Sequence, residues 1–159
     1  MTPRERTPPN RESLAAGVYG TVLVGSVMFV ASEDKTLKTA GIIGYMLSTS
    51  LVFWLAHGYA LLLATPRGQR SVRRVLAAQW PLVTAAFPAC IAMAVDEAVA
   101  AGSADQAVRL GLIVIIVQLA LWGGYIAWRE RRPVWIQGAT ALINGLFGVF
   151  LILLKTLIH

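Results

Sequence analysis

The sequence predicts an all-α polytopic membrane protein: a bundle of five transmembrane helices, N-terminus inside and C-terminus outside. Three observations carry this. Of the 159 residues, 57% are hydrophobic and 14% charged, with a mean hydropathy of +0.65. Soluble domains carry about 25% charged and about 45–50% apolar residues. Apolar runs near the roughly 20 residues that a spanning helix needs recur five times. Basic residues crowd onto alternate connections, as the positive-inside rule expects.

The first twelve residues, MTPRERTPPNRE, are polar and Pro-rich and predict a disordered cytoplasmic tail. Residues 13–159 then form one transmembrane domain, with spans at about 14–31, 39–64, 78–95, 107–128 and 134–157. The first carries Tyr19 and several glycines and exceeds the roughly 7–15 apolar residues of a signal-peptide core, so it is expected to stay, although Val30-Ala31-Ser32 could pass as a cleavage site. The third, QWPLVTAAFPACIAMAV, is short, Ala-rich and interrupted by Pro81 and Pro88. A half-inserted or re-entrant segment is its alternative to a full span. Pro88 inside a helix would free the carbonyl of Thr84, either shaping packing or breaking the helix to line a site. Ser103 with Gln106 has capping-box spacing and would start the fourth helix.

With the N-terminus inside, ten basic residues fall inside: Arg4, Arg6, Arg11, Arg67, Arg70, Arg73, Arg74, Arg129, Arg131 and Arg132. Four fall outside: Lys35, Lys38, Arg109 and Lys155. Short arginine clusters between apolar runs are a topology signal and not a nucleic-acid footprint, so no nucleic-acid partner is expected.

Side chains spaced by 4, 7 or 11 share a helix face. Gly17, Thr21, Gly25 and Ser32 stripe the first span, and Gly111, Gln118, Trp122, Tyr125 and Arg129 the fourth. Gln137, Asn144, Gly148 and Lys155 stripe the fifth, beside Ala141. Such stripes face protein, as packing seams or as the lining of a polar path. The second span is polar on two sides, with Ser50, Trp54 and His57 opposite Tyr45, Ser48 and Tyr59. It is therefore expected to be the most enclosed.

His57 falls about 8 Å to the cytoplasmic side of that span's middle. It is either a proton carrier, since histidine titrates near neutrality, or a neutral imidazole bonded across a seam. No Asp or Glu lies in a span core to partner it. Two histidines and one cysteine build no three-ligand zinc site, His159 is too terminal for a second haem ligand, and no HExxH, GxSxG or GxxxxGK[ST] motif occurs. No cofactor and no metal follow from this inventory. Glu33, Asp34, Asp96 and Glu97 form an acidic outer face that could bind a cation or a lipid-linked substrate, or simply be solvated loop caps.

VYGTVLV in the first span, SED after it, FWLAHGYA in the second, WP opening the third and LLKTLIH at the end resemble small multi-pass integral membrane proteins of high-GC Gram-positive bacteria (actinobacteria), a group of uncharacterised proteins. The resemblance implies a bacterial plasma (inner) membrane and a helix bundle, and it carries no activity with it.

These patterns point to a channel- or transporter-like subunit with a polar intramembrane track around His57. Its binding or pathway candidates are His57, Ser50, Trp54, Gln118, Tyr125 and Asn144. Five short helices leave little room for a private pathway, so the bilayer is joined as partner by further copies of the chain or by another membrane protein. The alternative is a structural or regulatory accessory subunit of a larger membrane complex. A third reading, an intramembrane enzyme on lipid-linked substrates, has no catalytic spacing behind it, and no catalytic residue is assigned. A water-sized track past Ser50, His57, Gln118 and Asn144 would mark transport. A dry core with those groups hydrogen-bonded would mark the accessory role.

Overall fold

The computed structural model describes residues 11–64, 71–100 and 103–158. All regular structure among them is helical: α1 (Arg11–Glu33), α2 (Thr39–Ala64), α3 (Val72–Ala78), α4 (Pro81–Thr84), α5 (Phe87–Ala100), α6 (Ala104–Arg129) and α7 (Val134–Ile158). Four stretches are long and apolar enough to cross a membrane: Ser13–Glu33, Thr39–Ala64, Val72–Val99 and Ala104–Arg129. In α7 the apolar stretch Val134–Phe150 is shorter. Residues 1–10 of the expected tail lie outside the described residues, and α1 already starts at Arg11.

Ser103 caps α6 as its spacing predicts, its Oγ accepting from the Gln106 amide at 3.4 Å. At the other end of α6, Arg131 adopts φ 54°. The Arg132 amide donates to the Ala127 carbonyl and the Arg131 amide to the Trp128 carbonyl. This is a Schellman stop with arginine where glycine is usual, and Pro133 prevents the helix from resuming.

The third span begins six residues earlier than expected and is three helices instead of one. Pro81 has no amide hydrogen, so the α ladder lapses. Amides of Gln79, Trp80, Leu82 and Val83 reach back only three residues. Pro88 ends the ladder a second time at Ala85–Ala86. It therefore stands in the first turn of α5, where a missing amide costs little, and not in a helix interior as expected.

α1 and α6 form the centre. Their two polar stripes are the two sides of one antiparallel seam. A Cβ at Gly17 would meet Trp122, one at Gly25 would meet Ile115, and one at Gly111 would meet Met28, while Thr21 bonds Gln118 between them. Asn144 and Gly148 of the fifth-span stripe lie against α6 at Gly123 and Ile116. The Lys155 side chain lies outside the described residues. A core of Val24, Met28, Ile42, Met46, Met93 and Ile115 fills the space between α1, α2, α5 and α6.

The second span is not the most enclosed. Only 17% of its apolar window is buried, against 44% for α1. The physical reason is local satisfaction: Ser50 Oγ donates to the Met46 carbonyl at 2.7 Å and Ser48 Oγ to Tyr45 at 3.2 Å. Hydroxyls bonded to their own helix need no enclosure. Tyr45 and Tyr59 lie toward opposite ends of α2, exposed.

Candidate functional site

The two ends of the bundle differ in chemistry. At the acidic end, Lys35 Nζ bridges the α1–α2 connection to Asp105 of α6 at 3.0 Å. Gln106 Nε2 reaches Asp96 Oδ1 at 3.5 Å, and Asp34 Oδ1 accepts from the Thr36 hydroxyl at 2.6 Å and the Thr36 amide at 2.9 Å. Those two bonds hold the Asp34 carboxyl below its ordinary range. Among the described residues no three His, Cys, Asp or Glu side chains converge to hold a metal ion.

The described aromatic ring contacts lie toward the arginine-rich end. Trp54 Nε1 donates to the Leu76 carbonyl at 2.9 Å, closing the C-terminus of α3, and its ring meets Trp80 edge-on at 5.3 Å. Tyr125 lies between Trp122 and Trp128, with centroids 6.3 and 6.1 Å away. Tyr19 of α1 stacks on His57 of α2 at 6.3 Å with an interplanar angle of 28°. Both rings are exposed at the surface of the bundle.

Between the two ends sits a polar knot. Gln118 Nε2 donates to Thr21 Oγ1 and to the Ala85 carbonyl, each at 3.1 Å. The Thr21 hydroxyl in turn donates to the Gly17 carbonyl at 2.8 Å. The break before α5 is what makes the Ala85 carbonyl available, and Gln118 takes the place of the lost helical amide. Gln118 Oε1 and the Oε1 of Gln79, which is 2% exposed at the α3–α4 turn, are buried without a hydrogen-bond donor.

The six sequence candidates do not converge on one passage. Gln118 and Tyr125 share a groove of about 640 Å³, lined also by Thr84, Pro88, Leu121, Trp122 and Arg129. Ser50 is buried and bonded to its own helix, and Trp54 is committed to α3. Asn144 Nδ2 donates to the Thr140 carbonyl at 2.9 Å, within α7. His57 faces outward beside Tyr19. Thr21 appears in the sequence only as part of a stripe of small residues, and its role depends on a helix break in another span. Gln79 and Trp80 carry no periodic signal; the Trp-Pro step beside them marks the turn.

No protein-family model, no curated protein and no solved structure matches the chain.

Proposed function

We propose that the chain is a five-span protein of the bacterial plasma membrane, N-terminus inside and C-terminus outside, acting as an accessory subunit of a larger membrane complex. It docks through the Tyr19–His57 surface. The single observation behind this reading is that an ionisable ring, expected to be enclosed, stands exposed beside an exposed tyrosine. At 1.5 Å per residue His57 is about 8 Å from the middle of α2 and Tyr19 about 6 Å from the middle of its span, on the same side. A ring N–H facing hydrocarbon without an acceptor is costly, and a partner helix that supplies one removes the cost. The Thr21 hydroxyl, the Gln118 Nε2 and the Thr140 and Asn144 side chains are bonded to one another, to the Ala85 carbonyl or to their own helices, the pattern of a packing seam.

Purification in mild detergent tests this. A stoichiometric membrane-protein partner is expected with the wild type and with Tyr45→Leu, and is lost from Tyr19→Leu and His57→Leu. Protection of the buried thiol Cys90 from maleimide confirms that each variant is folded. A wild-type chain that purifies alone overturns the reading. Proton or cation flux through that lone chain in liposomes then favours a channel-like track around His57.

A further inference from the structure

The acidic end has a crevice that the docking reading leaves unused. It lies between α1 and α2, and its lining includes Val27, Val30, Ala31, Asp34, Leu37 and Tyr45. α1 stops at Glu33 and α2 starts at Thr39, so the connection between them, with Asp34 and Leu37, closes the top of the crevice. Val30 and Tyr45 are 68% and 55% exposed, which leaves its side open to the bilayer. The volume is about 490 Å³, within the range of about 300–1,000 Å³ of clefts that take a small molecule. From Ser26 to Glu33 the crevice follows α1 for about 10 Å, so its mean cross-section is about 50 Å². A helix about 10–12 Å across would need about 80–110 Å². An acyl chain fits where a partner helix does not.

Two opposite charges stand at the mouth. Both bonds that Asp34 receives come from Thr36, a neutral residue, and both end on Oδ1. The carboxylate therefore keeps its charge and the lone pairs of Oδ2. Lys38, one residue past Leu37, is exposed. Among the described residues neither Asp34 nor Lys38 has an ion-pair partner, since the neighbouring Lys35 is paired with Asp105.

We infer that this crevice holds one acyl chain of a phosphatidylethanolamine, with the headgroup ammonium donating to Asp34 Oδ2 and the phosphate beside Lys38. The chain lies along Val27, Val30 and Ala31. Tyr45, about 9 Å along α2 from Thr39, leans back toward the helix N-terminus as helical side chains do, to the level below the headgroups that tyrosine favours. The pair of opposite charges selects the headgroup. An anionic one answers Lys38 alone, and a quaternary ammonium has no N–H to give Asp34. The inference requires only that α1 and α2 span the bilayer. The accessory role can fail without it, and it can fail without the accessory role.

Native mass spectrometry of delipidated protein, titrated with phosphatidylethanolamine and with phosphatidylcholine of matched chains, reads the occupancy. One ammonium–carboxylate contact at an exposed site predicts about a fivefold preference for phosphatidylethanolamine. Asp34→Asn is expected to bring the two lipids level. Lys38→Gln is expected to weaken both about equally, since they share the phosphate, and to leave the preference standing. Val30→Trp, which fills the crevice, is expected to lower binding of both lipids. Glu97→Gln removes another carboxylate of the acidic end, on α5, and is expected to change nothing. With the wild type, N-methyl groups added one at a time to the ethanolamine are expected to lower occupancy stepwise. Equal occupancy by the two lipids in the wild type overturns the inference. So does a preference that survives Asp34→Asn, one that Glu97→Gln removes equally, or binding that Lys38→Gln or Val30→Trp leaves untouched. Maleimide protection of Cys90 again reports folding, and the N-methyl series reads the same contact if Asp34→Asn fails to fold.

Discussion

Gly20→Ala probes the closest approach between α1 and the broken span. A Cβ at Gly20 would lie 2.7 Å from the Leu82 carbonyl oxygen and 2.8 Å from Leu82 Cα. Both are backbone atoms, so no side chain can swing aside. Ordinary contact begins at 3.4 Å, so α4 must retreat by 0.7 Å. The Gln118–Ala85 bond, 3.1 Å long, then stretches to as much as about 3.8 Å, past hydrogen-bonding range. Overpacking of this kind costs about 1–3 kcal/mol. The lost interhelical bond adds about 0.6 kcal/mol, and the better helix propensity of alanine returns about 0.5–1 kcal/mol. The net expectation is destabilisation by about 1–3 kcal/mol, or roughly 5- to 150-fold in the unfolding equilibrium. Gly44 is the control, because a Cβ there meets nothing within 4 Å. Gly44→Ala is expected to gain the propensity term alone. SDS titration from mild detergent, followed by circular dichroism, measures both variants. A Gly20→Ala protein as stable as Gly44→Ala would refute the close-approach argument.

Three further expectations follow from the geometry. Arg131→Gly, at φ 54°, should stabilise the chain by about 1 kcal/mol because glycine adopts this conformation without a Cβ penalty; an unchanged or lower unfolding midpoint counts against it. Gln118→Leu leaves the Ala85 carbonyl without its donor and should destabilise by about 1–2 kcal/mol, more than Thr21→Val, which keeps that bond; equal costs would show that Ala85 does not need Gln118. The Asp34 carboxyl, held down first by the Thr36 hydroxyl and then by the Thr36 amide, stabilises the α1–α2 connection above the ordinary carboxylate pKa. That contribution fades as pH falls through the lowered folded value. Thr36→Val should move the Asp34 titration upward by NMR, and an unmoved curve would rule out the hydroxyl as the cause.

Hydropathy and helical periodicity marked the long elements well. α2 has the expected bounds, and α1 and α6 extend their runs by a few residues at either end. The third span was marked less well because Arg73 and Arg74 read as connection, whereas both belong to α3. A charge near a span end fixes topology without forbidding helix. The seam between α1 and α6 was legible as two separate stripes, since small residues at helical spacing signal contact. Their pairing is a tertiary fact. Gln118 as the surrogate donor for Ala85 was not legible, because it depends on where Pro88 breaks a different helix. The enclosure of α2 was misjudged because counting hydroxyls says nothing of whether each folds back onto its own backbone. The same pattern hid the exposure of His57: the face that buries Met46 and Ser50 continues to Gly58 against Leu76, and His57 stands one residue off it.

The broken third span also has a consequence for how the chain is made. Two of its backbone carbonyls accept from other spans: Leu76 from the Trp54 indole, beside its own Gln79 amide, and Ala85 from the Gln118 amide. Trp54 is synthesised before this span and Gln118 after it. A carbonyl left in hydrocarbon without a donor costs several kcal/mol. On leaving the translocon the third span can therefore lock against α2 at once, but its second half waits for α6. A chain truncated before Gln118 would carry a span that is only half committed to the bilayer, and a target for membrane proteases that survey unfinished helices.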